Sequence, residues 1–351
     1  MTTDTSHELT EAVGRLLIVG FEGTEFPEVE ALVTAVRPAG LIFFKRNYPA
    51  EGPRQLRTLI EAVQSLARAE LGRELFIAID HEGGRVQRLP RPYTPLPPAG
   101  RAQAEADYLQ LVERGARELV STGFNFNFAP VVDVSAPVSG VLGDRAFSDD
   151  PATVADLGRA CLEIFHRAGI LGAGKHFPGL GAAVVDPHHE LPTIRSEAGR
   201  LMDVDMRPFL ELAAPPADLL AIMTTHALYP ALDSEHPATF SEDIVGLLKN
   251  ELAFPGAALT DDLEMGAVVK NFPLGEAAVK AVQAGHDLAL VCRKREYIDE
   301  CRRALASALR SGVLPETRLN EAHARSELLR NRLQSIKPPQ EELDAWFREL
   351  T

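Results

Sequence analysis

The chain contains the stretch Ile170-Leu171-Gly172-Ala173-Gly174-Lys175-His176-Phe177-Pro178-Gly179. Its first five residues are apolar or small, which predicts a strand buried on both faces. Pro178 and Gly179 forbid a continuing helix, so a loop that presents polar groups follows. A strand that ends in Lys-His and opens into a Gly/Pro loop is typical of parallel barrels, which build their active sites at the carboxyl ends of strands.

Similar apolar runs alternate with helix-like segments along the whole chain. The runs are short and rich in Leu, Ile, Val and Phe, as expected of strands in a parallel sheet. Amphipathic stretches at 53–70, 104–120 and 151–166 predict helices, and Ser241 is a predicted N-cap of a helix that ends near Leu252. The predicted strands are 16–20, 40–44, 75–80, 126–133, 170–176, 219–225, 257–261 and 287–292.

Eight strand–helix units in a chain of 351 residues are the number found in a (β/α)₈ TIM barrel. An open doubly wound sheet is the alternative, since it also alternates strands and helices. Polar residues at predicted strand ends favour the barrel, in which those ends converge on one mouth. They are Asp80, Asp133, Lys175-His176, Thr225-His226 and Asp261.

The domain prediction is a single α/β barrel domain over residues 1–351. Residues 313–351 form a helical tail, packed on the barrel or extending from it. This tail begins as a long helix after Gly312, breaks at Pro338-Pro339 and ends in a short helix. We expect no second domain after this tail.

Composition narrows the range of partners. The net charge of -14 and the pI of about 5.2 disfavour nucleic-acid binding, which needs basic clusters. No apolar run approaches the length of a membrane span, and residues 1–11 lack the features of a signal peptide. Cys161, Cys292 and Cys301 have neither disulfide nor zinc spacing, so a reducing compartment is expected. We therefore expect a cytoplasmic monomer or weak homodimer that binds neither membrane nor nucleic acid.

Four motifs carry a family resemblance. They are Asp80-His81-Glu82-Gly83-Gly84-Arg85-Val86-Gln87-Arg88, Gly143-Asp144-Arg145-Ala146-Phe147, the Lys175–Gly179 segment with Asp186-Pro187-His188, and Thr260-Asp261-Asp262-Leu263-Glu264-Met265. Together they resemble glycoside hydrolase family 3, and within it the small β-N-acetylglucosaminidase (β-hexosaminidase) branch. The resemblance spans residues 80–265 and is specific because the motifs follow the family's order.

The resemblance implies the catalytic residues. Asp261 matches the family's nucleophile, and a retaining glycosidase needs a carboxylate there to form a covalent glycosyl intermediate. From the residues alone, Asp261 could equally cap the next helix. His188 matches the branch's general acid/base with Asp186 as its orienting partner, since an imidazole exchanges protons near neutral pH. His189 is a rival, and without the motif a solvated loop or a weak metal site would explain 188–190.

The resemblance also implies that five residues bind the terminal sugar through its hydroxyl groups. These are Asp80, Arg88, Arg145, Lys175 and His176. For Asp133 a structural hydrogen bond is the better interpretation, and Glu82 is expected to shape its loop. His226 either lines the pocket or is a satisfied strand-end histidine. Phe177 and Tyr93 are expected to pack in the core or on the surface.

Two positions depart from the family pattern, and one pattern is a decoy. His81 stands where the family usually has Gln, and Leu180 stands where the branch commonly has His. Leu180 removes a polar group near the loop, so it bears on substrate preference more than on chemistry. Gly169 to Lys175 imitates a phosphate-binding loop, but His176 occupies the position of the Ser or Thr that would bind Mg²⁺. We expect no cofactor and no metal.

The resemblance therefore implies a retaining exo-β-N-acetylglucosaminidase. The resemblance implies a substrate from peptidoglycan turnover, with GlcNAc β-linked to an anhydromuramic acid unit. A β-glucosidase or β-xylosidase, a glycoside phosphorylase and a sugar-binding pseudoenzyme are the alternatives. The loop 177–191 is expected to be mobile without substrate and ordered with it.

Overall fold

The fold is a closed barrel of parallel strands surrounded by helices. The structure, a computed structural model, describes residues 2–104, 106–136, 140–187, 189–214 and 219–351, with side chains from residue 8 onward. Within these residues the barrel strands are β1 (Leu17–Val19), β2 (Gly40–Phe43), β3 (Phe76–Ile79), β4 (Phe126–Asn127), β5 (Leu171–Gly172), β6 (Gly174–Phe177), β7 (Ala221–Thr224), β10 (Ala257–Asp262) and β11 (Leu288–Val291). A two-stranded antiparallel ribbon, β8 (Leu228–Tyr229) with β9 (Asp233–Pro237), follows β7.

The barrel closes through one interrupted strand. The strands are hydrogen-bonded in the order β5-β4-β3-β2-β1-β11-β10-β7-β6, and all the pairs are parallel. β5 and β6 are separated only by Ala173, so the two ends of this order are one piece of chain. The nine segments in the described part of the chain are therefore eight strands in a ring. The predicted TIM barrel is confirmed, and the open sheet is wrong.

Two apolar layers stabilise this ring. The barrel interior is filled by residues such as Ile42, Phe76 and Met223, while a larger cluster lies between strands and helices. Leu329 is fully buried within the interior cluster, and Leu333 and Ile336 pack against it. Because these three belong to one late helix, that helix covers the end of the barrel opposite the mouth.

The helices lie outside the strands and are amphipathic. The described helices are α1 (Thr2–Gly14), α2 (Phe26–Val36), α3 (Pro53–Leu71), α4 (Tyr108–Thr122), α5 (Pro151–Ala168), α6 (Ala198–Arg200), α7 (Arg207–Ala213), α8 (Glu242–Gly246), α9 (Gly266–Val269), α10 (Leu274–Ala284), α11 (Arg295–Ser311), α12 (Glu316–Ile336) and α13 (Gln340–Leu350). α12 supplies the three residues that cover the barrel. α13 lies against α3, where the Arg57 guanidinium stacks 4.7 Å from the Phe347 ring centre and pairs with Asp344. The helical tail thus packs on the barrel.

Several predicted boundaries agree with the structure and two do not. Ser241 caps α8 by accepting a hydrogen bond of 3.1 Å from the Ile244 N–H, and a π-helical turn extends this helix to Glu251. The predicted strand 126–133 is regular only at Phe126–Asn127. Pro130, which has no N–H, interrupts it, and pairing resumes where the Val132 N–H donates to Lys175 O at 2.9 Å. The predicted helix 104–120 begins only at Tyr108, since Ala104 is hydrogen-bonded to Arg101 in a tight turn.

None of the helices in the described ranges is long and apolar enough to cross a membrane.

Candidate active site

The predicted site residues gather at the carboxyl end of the barrel. Asp80 follows β3, Lys175 and His176 lie in β6, and Asp261 lies in β10. The loops that follow the strands are also tied together: the Arg85 guanidinium donates to the main-chain oxygens of Val141 and Leu142 at 2.6 and 2.8 Å. The motif around Asp80 and the motif around Arg145 therefore belong to one wall.

A buried ion-pair cluster forms the centre of this wall. Lys175 Nζ lies 2.8 Å from Asp80 Oδ1 and 2.7 Å from Glu82 Oε1. Arg145 donates to both carboxylate oxygens of Glu82, from Nε to Oε2 at 2.8 Å and from Nη2 to Oε1 at 2.9 Å. Arg88 completes the cluster at 3.3 Å from Asp80 Oδ2. Four of the five residues predicted to bind sugar thus contact one another directly or through Glu82.

Charge pairing outweighs burial in this cluster. Burial alone would raise the pKa of Glu82, but Lys175 and Arg145 hold that pKa well below its usual range. Burial alone would lower the pKa of Lys175, but Asp80 and Glu82 raise that pKa above its usual value. Glu82 and Lys175 are therefore both charged at neutral pH. A carboxylate that accepts and cations that donate can bind vicinal hydroxyl groups of a sugar from one side.

His176 is oriented by Asp133. The imidazole Nδ1 lies 2.7 Å from Asp133 Oδ2, and the other carboxylate oxygen accepts from the His176 N–H at 3.1 Å and the Leu180 N–H at 2.7 Å. Because Nδ1–H faces the carboxylate, the other ring nitrogen, Nε2, faces Arg145 and lies 3.4 Å from its Nη2. The structural hydrogen bond predicted for Asp133 is confirmed. Asp133 orients His176, the remaining sugar-binding candidate, and holds the start of the loop after β6 at Leu180.

Asp261 lies near the end of β10 with a partly exposed side chain. Its Oδ1 accepts a hydrogen bond of 2.7 Å from the Asp262 N–H. The carboxylate of Asp262 accepts from the N–H groups of Glu264 and Cys292 at 2.9 and 3.2 Å. Burial, and then the charges of Glu264 and Asp261, raise the pKa of Asp262 to about 7. Asp262 therefore supports the end of β10 beside Asp261.

The loop after β6 approaches the segment after β10. His188 lies outside the described residues, but both of its neighbours are held by main-chain contacts. Pro187 O accepts from the Ala267 N–H at 3.1 Å, and His189 O accepts from Lys270 Nζ at 2.7 Å. Ala267 and Lys270 lie in and next to α9, directly after the motif that contains Asp261. Asp186 is partly buried, and its main-chain oxygen closes the turn with the His189 N–H at 2.9 Å.

The two departures from the family pattern are both buried. His81 is 3% exposed, and its pKa falls to about 4 because of burial and the nearby Arg88 charge, so it is neutral. It lines a cavity whose other walls include Leu119 and Phe165. Leu180 is 3% exposed and belongs to the main apolar cluster. Neither side chain belongs to the ion-pair cluster.

Sequence reasoning underestimated one residue and missed another. Glu82 does more than shape its loop, because it joins Lys175 to Arg145. The sequence did offer a signal for this role: the predicted sugar site held three cations, and Asp80 was its one carboxylate. Asp205 is 1% exposed and no described residue donates a hydrogen bond to its carboxylate, although Arg200 Nε lies 3.6 Å away. It packs against Gly179 in the loop after β6. No sequence pattern indicated this residue.

Phe177 and Tyr93 pack in the core, as expected. Phe177 is fully buried and makes an edge contact with Phe209, their ring centres 5.4 Å apart. Tyr93 is also buried, and its hydroxyl lies 2.9 Å from Thr122 Oγ1. Over the described residues, no group of His, Cys, Asp and Glu has the geometry of a metal site. The polar wall is therefore the part of the mouth that is suited to bind a sugar.

Comparison with known proteins agrees with this geometry. Residues 8–328 match the model of the glycosyl hydrolase family 3 N-terminal domain. A β-hexosaminidase of Alkalilimnicola ehrlichii is 39% identical over 300 residues, which cover 82% of this chain and 84% of that protein. A second β-hexosaminidase, from Thiobacillus denitrificans, is 38% identical over 276 residues, covering 74% and 73% of the two chains.

Solved structures give the same picture. A glycoside hydrolase family 3 β-N-acetylglucosaminidase from Paenibacillus sp. superposes with a TM-score of 0.87 at 34% identity, covering 96% of this chain and 68% of that one. A β-N-acetylhexosaminidase from Beutenbergia cavernae superposes with a TM-score of 0.82 at 27% identity, covering 91% and 97%.

Proposed function

The chain belongs to glycosyl hydrolase family 3 and is a glycoside hydrolase of the β-hexosaminidase type, and from this we propose that it is a retaining exo-β-N-acetylglucosaminidase. The observation that carries the proposal is the charged wall of Asp80, Glu82, Lys175 and Arg145 in the same barrel mouth as Asp261. A wall that binds hydroxyl groups beside a carboxylate at a strand end is what a glycosidase with a covalent intermediate requires.

In the proposed first step, the Asp261 carboxylate attacks the anomeric carbon. The bond from that carbon to the leaving oxygen breaks, and the His188 imidazolium gives its proton to that oxygen. The product is a glycosyl ester of Asp261, with the leaving alcohol released. The hydrogen bond from the Asp262 N–H supports this role, because it orients Asp261 without neutralising it.

In the second step, His188 takes a proton from a water molecule as that water attacks the anomeric carbon. The ester bond breaks, Asp261 is regenerated, and two inversions give net retention. Asp186 holds the tautomer of His188 and stabilises its imidazolium form. The tethers of Pro187 and His189 to the segment after β10 support the pairing of this loop with Asp261. His189 remains the rival for the acid/base role.

Asp80, Arg88, Arg145, Lys175 and His176 would hold the terminal sugar. Asp80 accepts hydroxyl protons, while the cations donate to hydroxyl oxygens. We further propose that the substrate is GlcNAc β-linked within peptidoglycan-derived muropeptides and that the enzyme works in the cytoplasm. The three cysteines, all free and buried, are compatible with a reducing compartment.

Release of p-nitrophenol from the β-glycosides of GlcNAc, glucose and xylose tests the proposal. We expect GlcNAc to be preferred, and proton NMR of the first product to show the β-anomer. A preference for glucose or xylose would replace the substrate assignment. A rate that depends on added phosphate, with a sugar phosphate as product, would make the enzyme a phosphorylase. An α-anomer as first product would rule out a covalent intermediate on Asp261.

A further inference from the structure

His226 is hydrogen-bonded to the main chain of Asp262, the residue that follows Asp261. His226 follows β7, and only 1% of it is exposed. Its Nε2 lies 2.9 Å from the main-chain oxygen of Asp262, and its Nδ1 lies 2.6 Å from Thr239 Oγ1. The Thr239 hydroxyl in turn lies 3.0 Å from the main-chain oxygen of Thr225. These contacts join the end of β7 to the end of β10 across the barrel mouth.

The direction of the first hydrogen bond follows from its acceptor. A carbonyl oxygen can only accept, so Nε2 of His226 carries a proton and donates it to Asp262 O. The Thr239 hydroxyl has one proton, which it can donate either to Nδ1 or to the Thr225 main-chain oxygen. The structural role of the imidazole therefore depends on Nε2–H, whereas Nδ1 serves to orient the ring.

Residue 262 is consequently held on three sides. Its N–H is bound to Asp261 Oδ1, its carboxylate accepts from Glu264 and Cys292, and its carbonyl accepts from His226. The N–H to Asp261 is the contact that orients the carboxylate proposed to attack the sugar. A change in the orientation of residue 262 would therefore move that carboxylate.

We infer that His226 is a positioning residue for the Asp261 carboxylate. The inference builds on the proposed function, in which Asp261 is the nucleophile. His226 acts through Asp262 and fixes the geometry of attack on the anomeric carbon. A misplacement of about 1 Å at a reacting group can lower a rate about 100-fold, even when binding is unchanged. Asp80, Lys175 and Arg145 do not contact this network among the described residues, so sugar binding should be independent of His226.

A matched pair of variants tests the inference. The amide of His226→Gln reaches the position of Nε2 and keeps a donor for Asp262 O, whereas the shorter amide of His226→Asn ends near Nδ1 and keeps only the Thr239 side. We expect His226→Asn to lower kcat about 10- to 100-fold with KM within about twofold. His226→Gln should stay within about threefold of the wild type. The rate of covalent labelling by a 2-fluoro glycoside should fall in parallel with kcat.

The variants are compared on whichever β-glycoside the wild type prefers. The sugar preference of the wild type tests the proposed function, and the ratio of kcat in His226→Gln to kcat in His226→Asn tests the inference. Thermal melting of both variants checks folding. Equal losses of kcat in the two variants, or an unchanged kcat in His226→Asn, would overturn the inference. ¹⁵N NMR of the histidine side chains is a readout independent of turnover. A His226 ring protonated at Nδ1 but bare at Nε2 would also overturn the inference.

Discussion

The main-chain N–H of Asp262 donates a hydrogen bond of 2.7 Å to Oδ1 of Asp261, so two consecutive aspartates share one contact. Their surroundings differ. The Asp262 carboxylate accepts hydrogen bonds from the N–H groups of Glu264 and Cys292, and burial raises the pKa of this carboxyl group to about 7. The raised pKa of Asp262 lessens the negative charge beside Asp261, the residue that we propose as the nucleophile.

Asp261→Ala should abolish turnover and leave the fold intact. Its side chain is partly exposed, so truncation leaves no buried cavity. The kcat of the variant should fall by several orders of magnitude, about 10⁴-fold or more, since no covalent intermediate can form.

A 2-deoxy-2-fluoro glycoside with a good leaving group, in which fluorine takes the place of the 2-acetamido group, provides the positive test in the wild-type enzyme. Peptide mass spectrometry should find the sugar on Asp261. Asp262→Ala is the matched control, and it should still be labelled. A label on Asp262 or on another acid would overturn the assignment.

His188→Ala should slow substrates with poor leaving groups far more than p-nitrophenyl glycosides, because only a poor leaving group needs a proton in the first step. With the activated substrate, the loss should appear in deglycosylation. Azide, a nucleophile that needs no base, should then restore turnover. His189→Ala is the control, and the same pattern in that variant alone would make His189 the acid/base.

Lys270→Met should weaken the attachment of the loop to the segment after β10. The variant removes the donor to His189 O and keeps the apolar part of the side chain. We expect a loss of about two- to fivefold in kcat/KM on poor leaving groups, the size expected for one exposed charge-assisted hydrogen bond, and a smaller loss on activated substrates.

Hydrogen exchange of the peptides that cover 180–192 should be faster in Lys270→Met than in the wild type. Lys280→Met is the control, since Lys280 pairs with Glu276 on α10. Unchanged exchange in Lys270→Met would show that this contact does not hold the loop.

The sequence predicted the barrel because its strands are continuous apolar runs, and it predicted the mouth because polar residues end those runs. It could not predict how one mouth residue pairs with another. Glu82 lies two residues beyond the end of the predicted strand 75–80, yet its partners Lys175 and Arg145 come from other strands and loops. Asp205 illustrates the same limit, because nothing in its local sequence indicates that its carboxylate is buried against Gly179. Pairing across a barrel depends on packing, which periodicity does not encode.

Glu82→Gln should weaken both sugar binding and stability. The amide keeps the volume of the side chain but offers one acceptor oxygen in place of two, and it leaves the charges of Lys175 and Arg145 partly uncompensated. Removal of one partner from a buried ion pair typically costs about 3 kcal/mol or more. We expect a lower midpoint in urea and a KM raised about tenfold. Glu113→Gln removes the exposed pair with Arg117 and should change neither. A stable variant with normal KM would show that Glu82 is dispensable.

Asp205 should make the stability of the protein depend on pH. Burial, and then the charge of Asp133, raise the pKa of Asp205 to about 6 despite the opposing charge of Arg200. The folded state therefore binds this proton more tightly than the unfolded state does. The resulting stabilisation is fully present below pH 4 and is lost as the pH rises through about 6. A shift of about two pKa units corresponds to about 3 kcal/mol.

Asp205→Asn removes this titration and keeps the volume of the side chain. We therefore expect the variant to be more stable than the wild type at pH 7, by about 1–3 kcal/mol, and the difference to shrink toward pH 4. Urea unfolding at several pH values measures it. Asp203 is exposed in the same turn, so Asp203→Asn is the matched control and should follow the wild-type curve. Because Asp205 packs against Gly179, its ionisation should also speed hydrogen exchange at the start of the loop in the wild type. Parallel stability curves for the wild type and Asp205→Asn would mean that this carboxyl group does not change its charge on unfolding.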